Sequence, residues 1–125
     1  MAEFVTTVLL EKAESWIFRD IKFASDKDVL MASSYPTLEK IFHILTNDID
    51  ISVEIQGHTD STASAEYNMD LSQRRAETVM NYLESKGIAA SRMTAHGYGE
   101  GQPIDTNNTE KGKANNRRVE FKPVK

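Results

Sequence analysis

Asp60 and Arg75 are the two side chains whose types and spacing suggest chemistry. Asp60 lies in a polar loop, His58 to Thr62, and Arg75 lies on the flank of the long helical pattern that follows it. A carboxylate accepts hydrogen bonds from an ammonium group, and a guanidinium forks onto a carboxylate. The two residues could therefore recognise a zwitterion at the rim of a cleft, or they could form a plain salt bridge. Their spacing leaves both readings open.

Catalysis is the alternative use of these carboxylates, and the residue pattern argues against it. A glycosidase needs two carboxylates across the scissile bond, one of them with a raised pKa. An arginine beside Asp60 would lower the pKa of that carboxyl, which suits a charge clamp and not a general acid. The sequence contains no nucleophile elbow, P-loop or zinc-protease motif. We therefore predict that the protein is not an enzyme.

The histidines give little support for a metal site. His58 and Asp60 share a loop, but two residues without a third partner do not define a metal ligand set. We expect His58 to hydrogen-bond to loop backbone, and we expect His43 and His96 to pack or to lie on the surface. No metal ion and no cofactor are predicted.

Composition narrows the class of protein. The 125 residues suit one compact domain, and the net charge of −4 argues against broad nucleic-acid binding, which needs a basic face. The absence of cysteine excludes disulfides and cysteine-ligated zinc. No apolar run approaches the roughly 20 residues that span a bilayer, and the first residues do not resemble a secretory signal. We expect any membrane attachment to lie in a segment outside this chain.

Hydrophobic periodicity indicates the elements that must position Asp60 and Arg75. It predicts helices at 4–18, 36–47 and 64–86 and strands at 20–23, 49–55, 93–97 and 117–121, with a long polar loop at 99–116. This order predicts an α+β fold in which the helices pack on one face of a small mixed sheet. Residues 1–19 are expected to form an N-terminal helix or lead-in, and residues 20–125 the domain itself.

A helical wheel for residues 64–86 separates two adjacent arginines. At about 100° per residue, one set of side chains points in a common direction and forms the predicted core stripe. A second stripe lies beside it on the flank of the helix. Arg75 falls on the flank and Arg74 on the opposite, solvent side. The predicted core stripe is Ala65, Met69, Ser72, Ala76, Val79, Met80 and Leu83, and the flank is Asn68, Leu71, Arg75 and Tyr82.

These residues, taken together, resemble the OmpA-like domain family. The likeness covers about residues 21–121, and its specificity is high because many separated positions agree in order and spacing. The matching motifs are Gly57-His58-Thr59-Asp60, Tyr67-Asn68, Leu71-Ser72, Arg75-Ala76, Gly97-Tyr98-Gly99 and Asn116-Arg117-Arg118. The family includes tails of outer-membrane proteins, peptidoglycan-associated lipoproteins and the periplasmic domain of a flagellar stator protein.

The resemblance implies a β/α/β/α sandwich that binds peptidoglycan without covalent bonds. By analogy, Asp60 would hold the free ammonium of meso-diaminopimelate in the stem peptide, and Arg75 a carboxylate. Matching positions that would line the same pocket are Thr62, Asn68, Leu71, Arg117 and Asp26. The implied role is to anchor an outer-membrane or envelope protein to the cell wall in the periplasm.

Three positions depart from the usual family pattern. Ala63 stands where a glycine is common, Asp26 where some members have an asparagine that contacts the ligand, and Lys113 where arginine is usual. None of them removes Asp60 or Arg75. The alternative reading is a protein-interaction domain that keeps the fold and has lost wall binding, and partners in the envelope are possible under either reading.

Overall fold

The four described strands form one mixed sheet with helices packed against it. The computed structural model describes residues 16–18, 23 and 30–124. The elements are β1 (Trp16–Phe18), α1 (Tyr35–Asn47), β2 (Ser52–His58), α2 (Ala65–Ser85), β3 (Met93–Gly99), α3 (Glu110–Asn116) and β4 (Arg118–Val124). The strand order is β1-β4-β2-β3; β2 and β3 are parallel, and the other pairs are antiparallel.

One hydrophobic core joins both long helices to a single face of the sheet. Alternate residues of the central strands point toward it, because successive side chains of a strand face opposite sides. Its members include Leu38, Ile41 and Leu45 of α1, Val53 and Ile55 of β2, Ala76, Val79 and Leu83 of α2, and Val119 and Phe121 of β4. The predicted α+β sandwich is therefore confirmed.

Glycines in the sheet set how closely α2 approaches it. A Cβ on Gly57 would lie 2.2 Å from the carbonyl oxygen of Ser72, and one on Gly97 would lie 2.3 Å from the amide nitrogen of Gln73. A side chain at either position would therefore force helix and sheet apart. This contact places the middle of α2 directly beside the end of β2, where the polar loop begins.

Several predicted boundaries are wrong by a few residues around β2. The strand starts at Ser52 and continues through His58, whereas the sequence pattern ends it before Gly57. It continues because β2 pairs with β3 on one side and β4 on the other, so its last residues are buried despite being polar. The predicted polar loop at 99–116 likewise contains α3.

The predicted N-terminal helix is wrong at its end. Trp16–Phe18 forms β1, whose Trp16 pairs with Phe121 of β4. The rest of that predicted helix, and all of the predicted strand at 20–23 except Phe23, lie outside the described residues. Phe23 forms an isolated bridge with Leu30. The domain boundary at residue 20 stays a prediction.

The core stripe of α2 begins later than the wheel predicts. Met69 is 50% exposed and Ala65 is also exposed, so both core predictions are wrong. Ser72 lies against Gly57, near the end of β2, and the backbone of Met69 lies against Gly99, the last residue of β3. Met69 is thus level with the last residue of β3, and its side chain is exposed there. Met80 packs against the core, as predicted, and Met93 is buried within it.

Candidate functional site

A cleft of about 520 Å³ opens where the polar loop, α2 and α3 meet. Six predicted site residues line it: Asp60, Thr62, Asn68, Leu71, Arg75 and Arg117. They come from the loop after β2, from α2 and from the residue just before β4, so the fold brings together residues up to 57 positions apart. Asp26, the seventh, lies outside the described residues.

Asp60 is a buried carboxylate with two strong partners. Its Oδ1 accepts a hydrogen bond from the Thr62 amide at 2.9 Å, and its Oδ2 accepts one from Arg117 Nη1 at 2.5 Å. Burial by itself raises the pKa of Asp60, but the bonds from Thr62 and Arg117 outweigh it and hold the pKa below its ordinary value. The group is therefore charged at neutral pH and suits an ammonium ligand.

Arg75 lines the same cleft but does not pair with Asp60. Its guanidinium lies 5.0 Å from the centre of the Phe23 ring, a cation–π contact. The ion pair of Asp60 is instead with Arg117, so the reading of Asp60 and Arg75 as a plain salt bridge to each other is wrong. The structure places both residues on one cleft.

Arg74 faces elsewhere, as the helical wheel predicts. Its Nε donates to Asp70, one turn earlier on α2, at 2.8 Å, and Arg74 is not among the residues that line the cleft. Two neighbouring arginines of identical chemistry therefore differ only in direction. Arg74 supplies a matched control for any experiment on Arg75.

Asn68 holds the loop that carries Asp60. It is buried, and its Nδ2 donates to the carbonyl oxygens of Asp60 and Ala63, each at 3.2 Å, and to Glu100 Oε1 at 2.9 Å. An amide nitrogen has two protons, so these protein acceptors already use its donor capacity. Asn68 thus fixes the loop, and Leu71, one turn further along α2, adds an apolar wall.

The end of β3 provides a second support that the sequence pattern did not reveal. The Thr59 amide donates to the carbonyl of Gly99 at 2.9 Å, and the Gly99 amide donates to Ser72 Oγ at 2.9 Å. Gly99 has a φ of 59°, a conformation that favours glycine. Ser72, predicted as a plain core residue, therefore ties α2 through Gly99 to the residue before Asp60.

The two arginines at the start of β4 have separate tasks. Arg118 is buried and donates to Glu120 at 2.6 Å and to the carbonyls of Asn116 and Gln102. Arg117, the C-cap residue of α3 just before the strand, reaches Asp60. The side chain of Asn116 in turn accepts from the backbone of the long loop before α3. Arg118 and Asn116 thus fix the strand start from which Arg117 extends.

The expectation for His58 is wrong. Both ring nitrogens are buried and lack a hydrogen-bond partner within the described part of the chain. The ring stacks on Tyr98 with centroids 5.4 Å apart. Burial, aided by the nearby charge of Arg118 and opposed by Glu120, lowers the pKa of His58 to about 4. It is therefore neutral at pH 7. His43 and His96 are exposed, as expected.

Helix α3 adds charged residues to the rim of the cleft. The sequence pattern assigned these residues to a loop. Glu110 and Lys113 line the cleft, and Lys113 Nζ lies 3.7 Å from Glu110 Oε1. Among residues 30–124 together with 16–18 and 23, no group of three or more acidic, histidine or cysteine side chains is placed to hold a metal ion. Within the same residues, no helix has the length and apolar character needed to cross a bilayer.

Comparisons with known proteins agree with this architecture. Residues 22–117 match the sequence profile of the OmpA family. Outer membrane porin F of Pseudomonas fluorescens is 46% identical over 101 residues, which is 81% of this chain and 31% of that protein. Peptidoglycan-binding protein ArfA of Mycobacterium tuberculosis is 38% identical over 101 residues, with the same two coverages. The chain thus spans about a third of the length of these relatives.

A solved structure extends the likeness to the whole fold. The cell wall anchor of the type VI secretion system from Pseudomonas aeruginosa superposes with a TM-score of 0.77 at 27% identity. The alignment covers 98% of this chain and 94% of that one. The described elements therefore share the fold of that protein.

Proposed function

The chain belongs to the OmpA family, and on this premise we propose that it binds peptidoglycan non-covalently and catalyses no reaction. One relative is named a peptidoglycan-binding protein, and one structural neighbour is a cell wall anchor. Both likenesses cover four-fifths or more of this chain. The binding activity is the part of the proposal that these relatives support.

The finer proposal is that the ligand group is meso-diaminopimelate of the stem peptide. The far end of this residue carries an ammonium and a carboxylate on one carbon. The single observation that carries the proposal is that Asp60, ionised at neutral pH, and the cation Arg75 line one cleft. Charge-assisted hydrogen bonds to both groups would select such a zwitterion.

The remaining lining residues support these two contacts. Thr62 and Asn68 fix the loop of Asp60, and Leu71 offers an apolar surface to the methylene chain of the ligand. Arg117 adds a second guanidinium at the acidic end of the cleft. The role of Asp26 stays a prediction.

Weak binding at each site is the expected regime. One amino acid offers few atoms, so the Kd of a single stem peptide should be roughly micromolar to millimolar. A wall presents many copies, and a protein that holds several such domains gains from their effective concentration. Weak affinity at each site is therefore sufficient for tethering to the wall.

The setting follows from the ligand. We propose that the domain works in the periplasm and anchors an outer-membrane protein or envelope complex, with any membrane attachment supplied by a segment outside this chain. The relatives are about three times longer than the matched region, so the anchored system is part of the proposal.

A sedimentation assay with purified diaminopimelate-type sacculi tests the proposal. Asp60→Asn and Arg75→Met should each abolish co-sedimentation while leaving circular dichroism unchanged. Arg74→Met is the matched control and should bind as the wild type does, because Arg74 pairs with Asp70 away from the cleft. Binding that survives loss of Asp60 and Arg75 together would overturn the assignment of the cleft. Soluble muropeptides in the supernatant would instead indicate an enzyme.

A further inference from the structure

The ion pair between Asp60 and Arg117 occupies the carboxylate that the proposed function assigns to a ligand ammonium. Arg117 Nη1 lies 2.5 Å from Asp60 Oδ2, and the Thr62 amide already engages Oδ1. An incoming ammonium therefore meets a carboxylate whose cationic partner is in place. An ammonium that binds Asp60 is therefore placed beside Arg117, which must move or share the carboxylate.

We propose that Arg117 determines ligand specificity by exchanging partners. The ligand ammonium takes the place of Arg117 at Asp60, and the released guanidinium binds the carboxylate of the same ligand. This inference rests on the proposed function, because it takes the ligand ammonium to Asp60. It adds a mechanism by which the free cleft selects a zwitterion over a simple amine.

The surroundings of Arg117 allow it to move. Its side chain is 43% exposed, whereas that of Asp60 is 11% exposed. Within residues 30–124 its guanidinium hydrogen-bonds to Asp60, and its backbone amide is fixed to the carbonyl of Lys113. The guanidinium can thus swing about a fixed backbone. The next residue, Arg118, is buried with three different acceptors and cannot do the same.

The charges around the cleft make the exchange selective. Four cations line it: Arg75, Lys113, Arg117 and the buried Arg118, with Lys113 one helical turn before Arg117. An amine that displaces Arg117 from Asp60 adds a further positive charge and leaves the guanidinium without a carboxylate. A ligand that carries its own carboxylate beside the ammonium restores the pairing of Arg117 as it binds. The lysine-type stem peptide, whose side chain ends in an ammonium alone, should therefore bind poorly.

Calorimetric titrations with two synthetic stem peptides test this exchange. The peptides are identical except for meso-diaminopimelate or L-lysine at the third position, and the proteins are the full chain and its Arg117→Met variant. Arg117→Met should lower the affinity for the diaminopimelate peptide by about tenfold, because one charge-assisted hydrogen bond is lost. The same variant should raise the affinity for the lysine peptide by up to about fivefold, because Arg117 no longer competes for Asp60. Arg117→Lys should recover part of the discrimination.

The outcomes separate this inference from the proposed function. If Arg117→Met lowers the affinity for both peptides equally, Arg117 is only a structural support. If it raises both affinities equally, Arg117 is only a competitor for Asp60. Either result overturns the exchange. Side-chain ¹⁵N spectra of arginine should show the Arg117 signal shifting with the diaminopimelate peptide and not with excess free phosphate. A wild-type chain that binds neither peptide nor sacculi refutes the proposed function itself. Circular dichroism of each variant confirms that it is folded.

Discussion

An arginine lies at each end of β2, and the two are held in different ways. Arg92 follows β2 in the chain, but its guanidinium lies at the start of that strand. It donates to three backbone carbonyls, those of Leu45, Asp48 and Ile51, at 2.8 to 3.0 Å. At the other end of β2, Arg117 donates to the side chain of Asp60 and is partly exposed. The first guanidinium joins the end of α1 to the start of β2, and the second lines a cleft.

The difference shows how partner type separates a structural arginine from a functional one. Backbone carbonyls in a folded chain have no freedom to leave, so a guanidinium bound to three of them acts as a brace. A single carboxylate at a cleft can accept another cation, so its arginine can change partners. Arg118 of β4 resembles Arg92 in this respect. It is buried against Glu120 and two backbone carbonyls, so it also acts as a structural arginine.

Removing each arginine should expose this contrast most strongly. Arg92→Met leaves three carbonyls without their shared donor and should lower the free energy of unfolding by about 3–4 kcal/mol. Arg117→Met removes one donor from the buried Asp60, which keeps its hydrogen bond from Thr62, and should cost about 1–2 kcal/mol. Urea denaturation followed by circular dichroism measures both. Similar losses for the two variants would contradict the distinction between brace and exchangeable partner.

Acid should destabilise the cleft end through His58. The folded pKa of about 4 lies below the ordinary value of 6.5, so between these pH values the unfolded histidine binds a proton and the folded one does not. Stability is therefore lost as pH falls from 6.5 toward 4, by roughly 2–3 kcal/mol at pH 4.5. His58→Phe, which keeps a ring against Tyr98, should remove that loss.

The control for the acid effect is His96→Phe, at an exposed position on β3. It should leave the pH dependence of unfolding as it is in the wild type. Denaturation curves at pH 7 and pH 4.5 for the three proteins give the comparison. An unchanged acid slope in His58→Phe would show that other groups control it.

A smaller effect is expected at Ser72, which supports the loop of Asp60 through Gly99. Ser72→Ala leaves the buried Gly99 amide without its acceptor and should cost about 1–2 kcal/mol of stability. Because Gly99 also binds the Thr59 amide, sacculus binding should weaken by a few-fold as well. Ser85→Ala, near the exposed end of α2, is the matched control and should change neither quantity.

Much of the fold was predictable because it rests on local patterns. The apolar residues of α1 recur with helical spacing, and α2 has Ser64 as its N-cap and Gly87, with a φ of 115°, just beyond its end. The division of Arg74 from Arg75 follows from helical geometry alone. These features depend on neighbours within a few residues, which the sequence displays directly.

Boundaries and polar partners were predicted less well, because they depend on residues far apart in the chain. β2 extends to His58 only because strands on both sides pair with it, and Met69 is exposed where α2 passes the last residue of β3. α3 carries a glycine and few apolar residues, so its pattern resembles a loop.

By itself the sequence determined the two long helices α1 and α2, the polar loop with Asp60, the side of α2 that carries Arg75 and the resemblance to a wall-binding family. Only the tertiary structure decided that Asp60 pairs with Arg117, 57 residues away, and that the ring nitrogens of His58 are buried without a hydrogen-bond partner among the described residues. Periodicity fixes the direction in which a side chain leaves its own element. The partner it meets depends on where a distant element packs, and that is set by the shared core and the close contacts at Gly57 and Gly97.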